Sequence, residues 1–151
     1  MNALLARMLA AALAVMLAAC AAGGGVRQDL NLPGRSDTLP FSHGVLSGDT
    51  YYVAGTLGVD PATKQPPADV EQEIRFMLDD VKKKLALAGM TMDELVSVQI
   101  FCSDLTQYDV FNKIYATYFT HGFPARSFIG SGPLLRGCRF ELNGVAARAG
   151  G

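Results

Sequence analysis

Arg126 and Glu141 are the two side chains whose types and spacing best suit chemistry on a small carboxylate. They lie fifteen residues apart, each in or next to a segment with the alternating pattern of a strand. An arginine can hold a planar carboxylate through two parallel N–H bonds, and a glutamate nearby can orient or deprotonate a water molecule. The pair therefore indicates a site that could bind a small anion and deliver water to it.

A hairpin would bring this pair together. If the strand that follows Arg126 pairs antiparallel with the strand that contains Glu141, Arg126 falls opposite roughly Asn143, about two residues from Glu141. Arg139, Glu141 and Asn143 would then share the polar face of the sheet, opposite the helices. The alternative is a structural cross-strand ion pair, worth only a few tenths of a kcal/mol if exposed. The pattern alone favours this alternative.

The elements that must position these residues alternate strands and helices. One sheet with two helices on one face is the natural arrangement for the order β-β-α-β-α-β-β, which predicts an α+β fold. The predicted elements are a hairpin over 41–54, a helix between the N-cap Asp69 and Gly89, a strand over 96–102, a helix over 108–118, a strand over 127–131 and a strand over 138–147.

The N-terminal segment has a different composition from the rest of the chain. Residues 1–22 contain one charged side chain, Arg7, and residues 8–19 are all apolar. A short basic region followed by an apolar stretch of this length is typical of a secretory signal peptide. The stretch ends in Leu-Ala-Ala followed by Cys20, which resembles a bacterial lipobox, where a lipid is attached to the cysteine thiol.

We therefore predict a lipoprotein-type signal peptide over 1–19, a lipid on Cys20 and a flexible tether over 20–38. The folded domain is predicted over 39–148. This interpretation places the protein on the periplasmic side of a membrane and anchored to it, and the alternative is a soluble periplasmic protein.

Charge and residue pattern exclude several classes of function. The net charge of −1 and the lack of a basic segment leave no electrostatic footprint for nucleic acid. His43 and His121 are too few for a metal site, and no metal is expected. Cys102 and Cys138 could form a disulfide outside the cytosol, but two buried free thiols are the preferred interpretation.

Several separated segments resemble, in order, the signature of the RidA/YjgF family. The resemblance covers about residues 39–148, and the spacing from Arg126 to Glu141 matches the Arg-to-Glu spacing of the family. The segments are 53–61, 101–105 with Asn112 and Tyr115 on the helix behind it, 123–127, and 140–146.

The resemblance implies a chorismate-mutase-like fold of the bacillus type. It implies a homotrimer in which three sheets line a central barrel, the helices lie outside, and ligand clefts lie between subunits. It further implies hydrolysis of reactive enamines and imines of the 2-aminoacrylate/2-iminopropanoate type to 2-keto acids and ammonia, without a cofactor. Arg126 would bind the substrate carboxylate, Glu141 would position the attacking water, and Phe41, Gly55 and Asn112 would line the substrate site.

The chain also departs from the family pattern. Phe41 stands where a tyrosine is frequent, so one hydroxyl is missing, and Phe128 stands where a cysteine is frequent. These changes suit a larger or more apolar imine than a three-carbon one. Two alternatives stay open: a trimer that binds small carboxylates without turnover, and an endoribonuclease, which the net charge disfavours.

Overall fold

The computed structural model describes residues 26–36 and 38–148. The signal peptide predicted over 1–19 and the lipidation predicted at Cys20 lie outside the described residues and stay predictions. Within the described residues, no helix has both the length and the apolar character needed to cross a membrane.

Six strands form one sheet in the order β1-β2-β3-β6-β4-β5. Neighbouring strands are antiparallel except β4 and β5, which are parallel. The elements are β1 (Gln28–Leu30), β2 (Gly44–Ser47), β3 (Thr50–Leu57), α1 (Val70–Leu87), β4 (Leu95–Cys102), α2 (Tyr108–Ala116), β5 (Ala125–Gly130) and β6 (Phe140–Ala147).

The order of elements confirms the α+β prediction, with one addition. Strand β1 pairs antiparallel with β2, Gln28 opposite Leu46. It lies inside the range 20–38 that was predicted to be a flexible tether, so this part of that prediction is wrong. The reason is that β2 would otherwise be an edge strand whose unpaired backbone groups can accept another strand.

Local signals place the first helix where the sequence predicts it. The Asp69 side chain accepts the backbone N–H of Glu71 at 3.0 Å, which caps the helix start. Gly89, directly after the C-cap, has a φ of 68°, a conformation that favours glycine. The inward face of α1 packs on the sheet through fully buried side chains: Ile74, Met77, Leu78, Val81 and Leu85.

The last two strands are not neighbours, so the predicted antiparallel hairpin is wrong. Strand β4 lies between them, parallel to β5 and antiparallel to β6. Helix α2 connects β4 to β5, and a helical crossover joins parallel strands because it returns the chain to the same edge of the sheet. Arg126 is therefore the partner of Val98 on β4 instead of a residue near Asn143.

A buried ion pair fastens the start of β6 to α1. The fully buried Glu73 carboxylate accepts the Arg139 Nε–H at 2.6 Å and the backbone N–H groups of Arg139 at 2.5 Å and Phe140 at 3.2 Å. The Arg139 guanidinium also donates to the carbonyl groups of Pro67 and Ala68. Because Arg139 turns toward α1, the prediction that it shares the open face with Glu141 is wrong.

Both cysteines of the domain are buried free thiols, which confirms the preferred interpretation. Burial raises the pKa of the Cys138 thiol to about 11 and also raises that of Cys102. Thiols held in this protonated form are weak nucleophiles, so these side chains serve packing.

Candidate functional site

Arg126 is held in one orientation by a side chain on helix α2. Its Nη2 donates a hydrogen bond of 2.7 Å to the Asn112 Oδ1. Within the described part of the chain, the Arg126 guanidinium donates no other hydrogen bond. The N–H groups on Nε and Nη1 are therefore available to bind a ligand. The structure thus brings together two residues that the sequence assigned to the substrate site.

Aromatic rings surround the guanidinium of Arg126. Its Cζ lies 4.9 Å from the ring centre of Tyr115 and 5.6 Å from that of Phe128. A cation near the faces of aromatic rings is stabilised by their quadrupoles, and the effect grows when water is excluded. The ring centres of Tyr108 and Phe111 lie 5.8 and 6.0 Å from the same Cζ.

A pocket of about 330 Å³ opens beside Arg126. Its polar groups come from the arginine and Asn112, and most of its remaining wall is apolar. Phe128 is absent from the wall, because its ring packs edge-on against Tyr108 at 4.9 Å and Phe111 at 5.2 Å. The lining residues are Asn112, Tyr115, Ala116, Phe123, Pro124 and Arg126.

Glu141 lies on the other face of the sheet and packs over Gly55. The register of β3 against β6 shifts between Val53 and Thr56, a bulge that contains Gly55. A Cβ added at Gly55 would stand 2.2 Å from Glu141 Oε1, closer than any real contact. The Glu141 carboxylate can therefore lie over the bulge only because Gly55 has no side chain.

Phe41 lies in the segment directly before β2, the strand that pairs with β3. In that segment the carbonyl of His43 accepts the N–H of Ala54 at 3.1 Å, and Ala54 directly precedes Gly55. The Phe41 ring is 49% exposed and contacts the Arg35 guanidinium at 4.9 Å. Gly55 and Glu141 thus lie together as one half of the predicted site, and Arg126 with Asn112 forms the other. The described contacts of the Phe41 ring are with Arg35 and His43, and they do not bring Phe41 to either half.

The two halves do not meet within one chain. Arg126 is level with Val98 and Gly144 across the sheet, whereas Glu141 is level with Phe101. Strand β4 separates the strands that carry them, and the two side chains leave opposite faces of the sheet. The predicted closeness of Arg126 and Glu141 is therefore wrong for a single chain, because it depended on the hairpin that β4 interrupts.

The sequence analysis did not predict that aromatic rings enclose the Arg126 guanidinium. The aromatic residues of α2 recur at helical spacing, a pattern that is typical of core packing, and Phe111 is indeed fully buried. The available signal was the alternation of β5, which places Arg126 and Phe128 on one face. An apolar ring on that face predicts that the arginine also faces the helices.

Substitution of Gly55 by alanine tests whether the bulge positions Glu141. The added methyl group would displace the carboxylate, so we expect a loss of kcat of at least about tenfold with the fold retained, because small misplacements of catalytic groups are costly. Turnover and far-UV circular dichroism of Gly55→Ala would check this result. Gly132→Ala is the control, since a Cβ there meets nothing within 4 Å. Equal turnover in the two variants would contradict the assignment.

One mixed sheet covered on one face by two helices, with an arginine at its parallel edge and a glutamate on its open face, defines a class of small α+β ligand-binding domain. The family model described as Endoribonuclease L-PSP matches residues 35–148. The chain therefore belongs to this family, which is the RidA/YjgF family that its motifs resemble.

Characterised relatives carry the name 2-iminobutanoate/2-iminopropanoate deaminase. The protein of that name from Escherichia coli (strain K12) is 32% identical over 112 residues, which cover 72% of this chain and 88% of the relative. The one from Bos taurus is 32% identical over 110 residues, covering 72% and 80%. The crystal structure of Escherichia coli TdcF with bound serine superposes with a TM-score of 0.75 at 25% identity, covering 81% of this chain and 99% of that one.

Proposed function

We propose that this protein hydrolyses reactive 2-imino acids and their enamine tautomers, of the 2-aminoacrylate/2-iminopropanoate type, to 2-keto acids and ammonia. The observation that carries the proposal is the Arg126 guanidinium, fixed by Asn112 and the aromatic rings, with N–H groups left over beside a pocket. Such a group can bind a planar carboxylate through two parallel bonds. The names of the characterised relatives support the same reaction class.

The reaction follows from a carboxylate clamp and one base. Arg126 would hold the substrate carboxylate, and Glu141 would accept a proton from a water molecule as its oxygen adds to the imine carbon. The tetrahedral carbinolamine formed from the protonated imine would then receive that proton on nitrogen. As the C–N bond breaks and ammonia leaves, Glu141 would accept the proton of the new hydroxyl group, which becomes the carbonyl of the 2-keto acid. These substrates also react with water unaided, so orientation and one fixed charge supply the acceleration that is needed.

We further propose that the complete site forms between subunits of a homotrimer. The separation of the two halves supports this, because Arg126 lies on the edge strand β5 and Glu141 on the open face of the sheet. A groove of about 460 Å³ on that face, in which Tyr52 is 51% exposed, offers a surface for a neighbouring edge. Polar groups from three strands line it: Ser97, Gln99 and Asn143, with backbone around Gly55.

Mixing two inactive variants tests the shared site. Arg126→Met and Glu141→Gln, each inactive alone, are unfolded together and refolded at equal ratio. With random mixing in a cyclic trimer, about one quarter of the sites receive an intact arginine from one subunit and an intact glutamate from its neighbour. We therefore expect about one quarter of wild-type activity to return. No recovery, with mixed trimers confirmed by native mass spectrometry, would contradict a site shared between subunits.

A second candidate function is binding of small carboxylates without turnover. The aromatic ring of Phe41, which carries no hydroxyl, favours it, and so does the solved TdcF structure with bound serine. Calorimetry with 2-keto acids beside an ammonia-release assay distinguishes the two. Binding without ammonia release from freshly generated imino acids would support the second candidate and contradict the first.

A further inference from the structure

Lys84 is a buried lysine that reaches the sheet from helix α1. It is 4% exposed, and its Nζ donates a hydrogen bond of 2.8 Å to Thr56 Oγ1. Its Nζ also lies 3.1 Å from Asp80 Oδ2, one turn earlier in the helix, and Asp80 itself stays partly exposed. Lysines are almost never this buried without a specific partner. Helix α1 also carries Lys82 and Lys83, both exposed.

The ammonium of Lys84 lies behind the bulge that carries Glu141. Thr56 is 1% exposed and directs its hydroxyl to the helix face of the sheet. Its chain neighbour Gly55 is in contact with the Glu141 carboxylate on the open face. A cation and a carboxylate thus approach the same two residues of β3 from opposite sides, with one layer of backbone between them.

We propose that Lys84 is a positioning residue for Glu141: its buried ammonium, which lies behind the Gly55-Thr56 bulge, attracts the carboxylate across the backbone and holds it over the bulge. This inference rests on the proposed function, in which Glu141 must be ionised to accept a proton from water. Attraction across a dry layer of protein is stronger than the same attraction through solvent. The bulge brings the two groups together because it removes the side chain that would otherwise separate the carboxylate from the backbone.

Several charged groups of the described residues lie near Lys84 and Glu141. Burial lowers the pKa of Lys84, and both Asp80 and Glu141 act against that lowering. Glu141 also contributes to the raised pKa of Cys138 on the loop before β6. The neighbours that β3 and β4 present beside Glu141 in register, Leu57 and Phe101, are uncharged. Two further cations act on Cys138 together with Glu141: Arg139, which pairs with Glu73, and Arg136, which donates to the Lys64 carbonyl. Among the described residues, Lys84 is the cation that bonds Thr56 behind the bulge.

A titration of Lys84 tests the coupling without any need for turnover. Lysine labelled with ¹³C and ¹⁵N, with the Lys84 signal assigned through Lys84→Met, is followed against pH in the wild type and in Glu141→Gln. We expect the pKa of Lys84 to fall further in Glu141→Gln, because the carboxylate that favours the ammonium is gone. An unchanged titration of Lys84 in a folded Glu141→Gln protein would overturn the proposal.

The reciprocal effect is measured on catalysis. Lys84→Met keeps the length of the side chain and removes its charge, and Lys82→Met removes an exposed charge from the same helix as the control. Without the cation the carboxylate is attracted less strongly to the bulge, so we expect the kcat/KM profile against pH to lose amplitude on its acid side. A profile identical to that of Lys82→Met would contradict the proposal.

These two measurements separate the inference from the function on which it rests. A protein with no deaminase activity can still show the Lys84 shift in Glu141→Gln, which would keep the coupling and reject the reaction. An active enzyme whose Lys84 titration ignores Glu141 would reject the coupling alone. Should Lys84→Met fail to fold, the Lys84 signal is assigned by elimination, through substitution of the four exposed lysines: Lys64, Lys82, Lys83 and Lys113. The titration in Glu141→Gln then still decides, because that variant leaves Lys84 in place.

Discussion

We expect Arg126→Met to lower kcat/KM for imino acid hydrolysis by at least about 100-fold, because a hydrogen bond to a charged group contributes roughly 1.5–3 kcal/mol and two such bonds to the substrate carboxylate are lost. Methionine fills much of the space inside the aromatic surround, so the fold is retained. The carboxylate is bound in both the ground state and the transition state, and most of the loss therefore appears as a higher KM. Steady-state assays with freshly generated imino acids measure the two constants.

Arg75→Met is the matched control for this variant. Arg75 is an exposed arginine on α1, 3.8 Å from Glu71, and lies away from the pocket beside Arg126. We expect its kcat/KM to stay within about twofold of the wild type, because exposed ion pairs contribute little. Equal activity of Arg126→Met and Arg75→Met would remove the carboxylate clamp from the proposed mechanism.

Glu73→Ala destabilises the fold by about 3–5 kcal/mol, because removing one partner of a buried ion pair leaves the other charge uncompensated. The Arg139 side chain would lose its carboxylate, and the N–H groups of Arg139 and Phe140 would lose their acceptor. The start of β6 would then be free to leave α1. Urea unfolding followed by circular dichroism at fixed protein concentration measures the free energy of unfolding, since the stability of the proposed homotrimer would depend on concentration.

Glu71→Ala is the control for this second variant. Glu71 lies in the same first turn of α1, but its side chain is 57% exposed. We expect a change in the free energy of unfolding within about 0.5 kcal/mol, as is usual for an exposed position. Comparable losses in the two variants would show that the helix terminus, rather than the buried pair, determines the effect.

Local features of this fold are readable from the sequence, because their signals lie within a few residues. Asp69 and Gly89 mark both ends of α1 as predicted. Thr91 and Glu94 have the spacing of a capping box and form one, in which Glu94 accepts the Thr91 N–H at 2.6 Å. Such contacts depend on chain neighbours alone, so no knowledge of the tertiary fold is needed.

Pairing of distant strands is not readable in the same way. The alternation in β4 and β6 states which residues share a face, and it is equally compatible with several orders of strands. Arg126 was consequently placed beside Glu141 by a hairpin that does not form. The motifs still assign residues to both proposed halves, because the resemblance to the family does not depend on strand order, and that assignment stays a prediction.

Strand β6, the last of the described strands, occupies the centre of the sheet between β3 and β4. During synthesis the N-terminal hairpin and the β4–α2–β5 unit therefore emerge as two pieces with no hydrogen-bonded ladder between them. Strand β6 then joins them through contacts that are distant along the chain and slow to form. Until β6 has emerged, the divided sheet of the nascent chain stays open to chaperones and proteases, and deletion of β6 would leave the sheet in two parts.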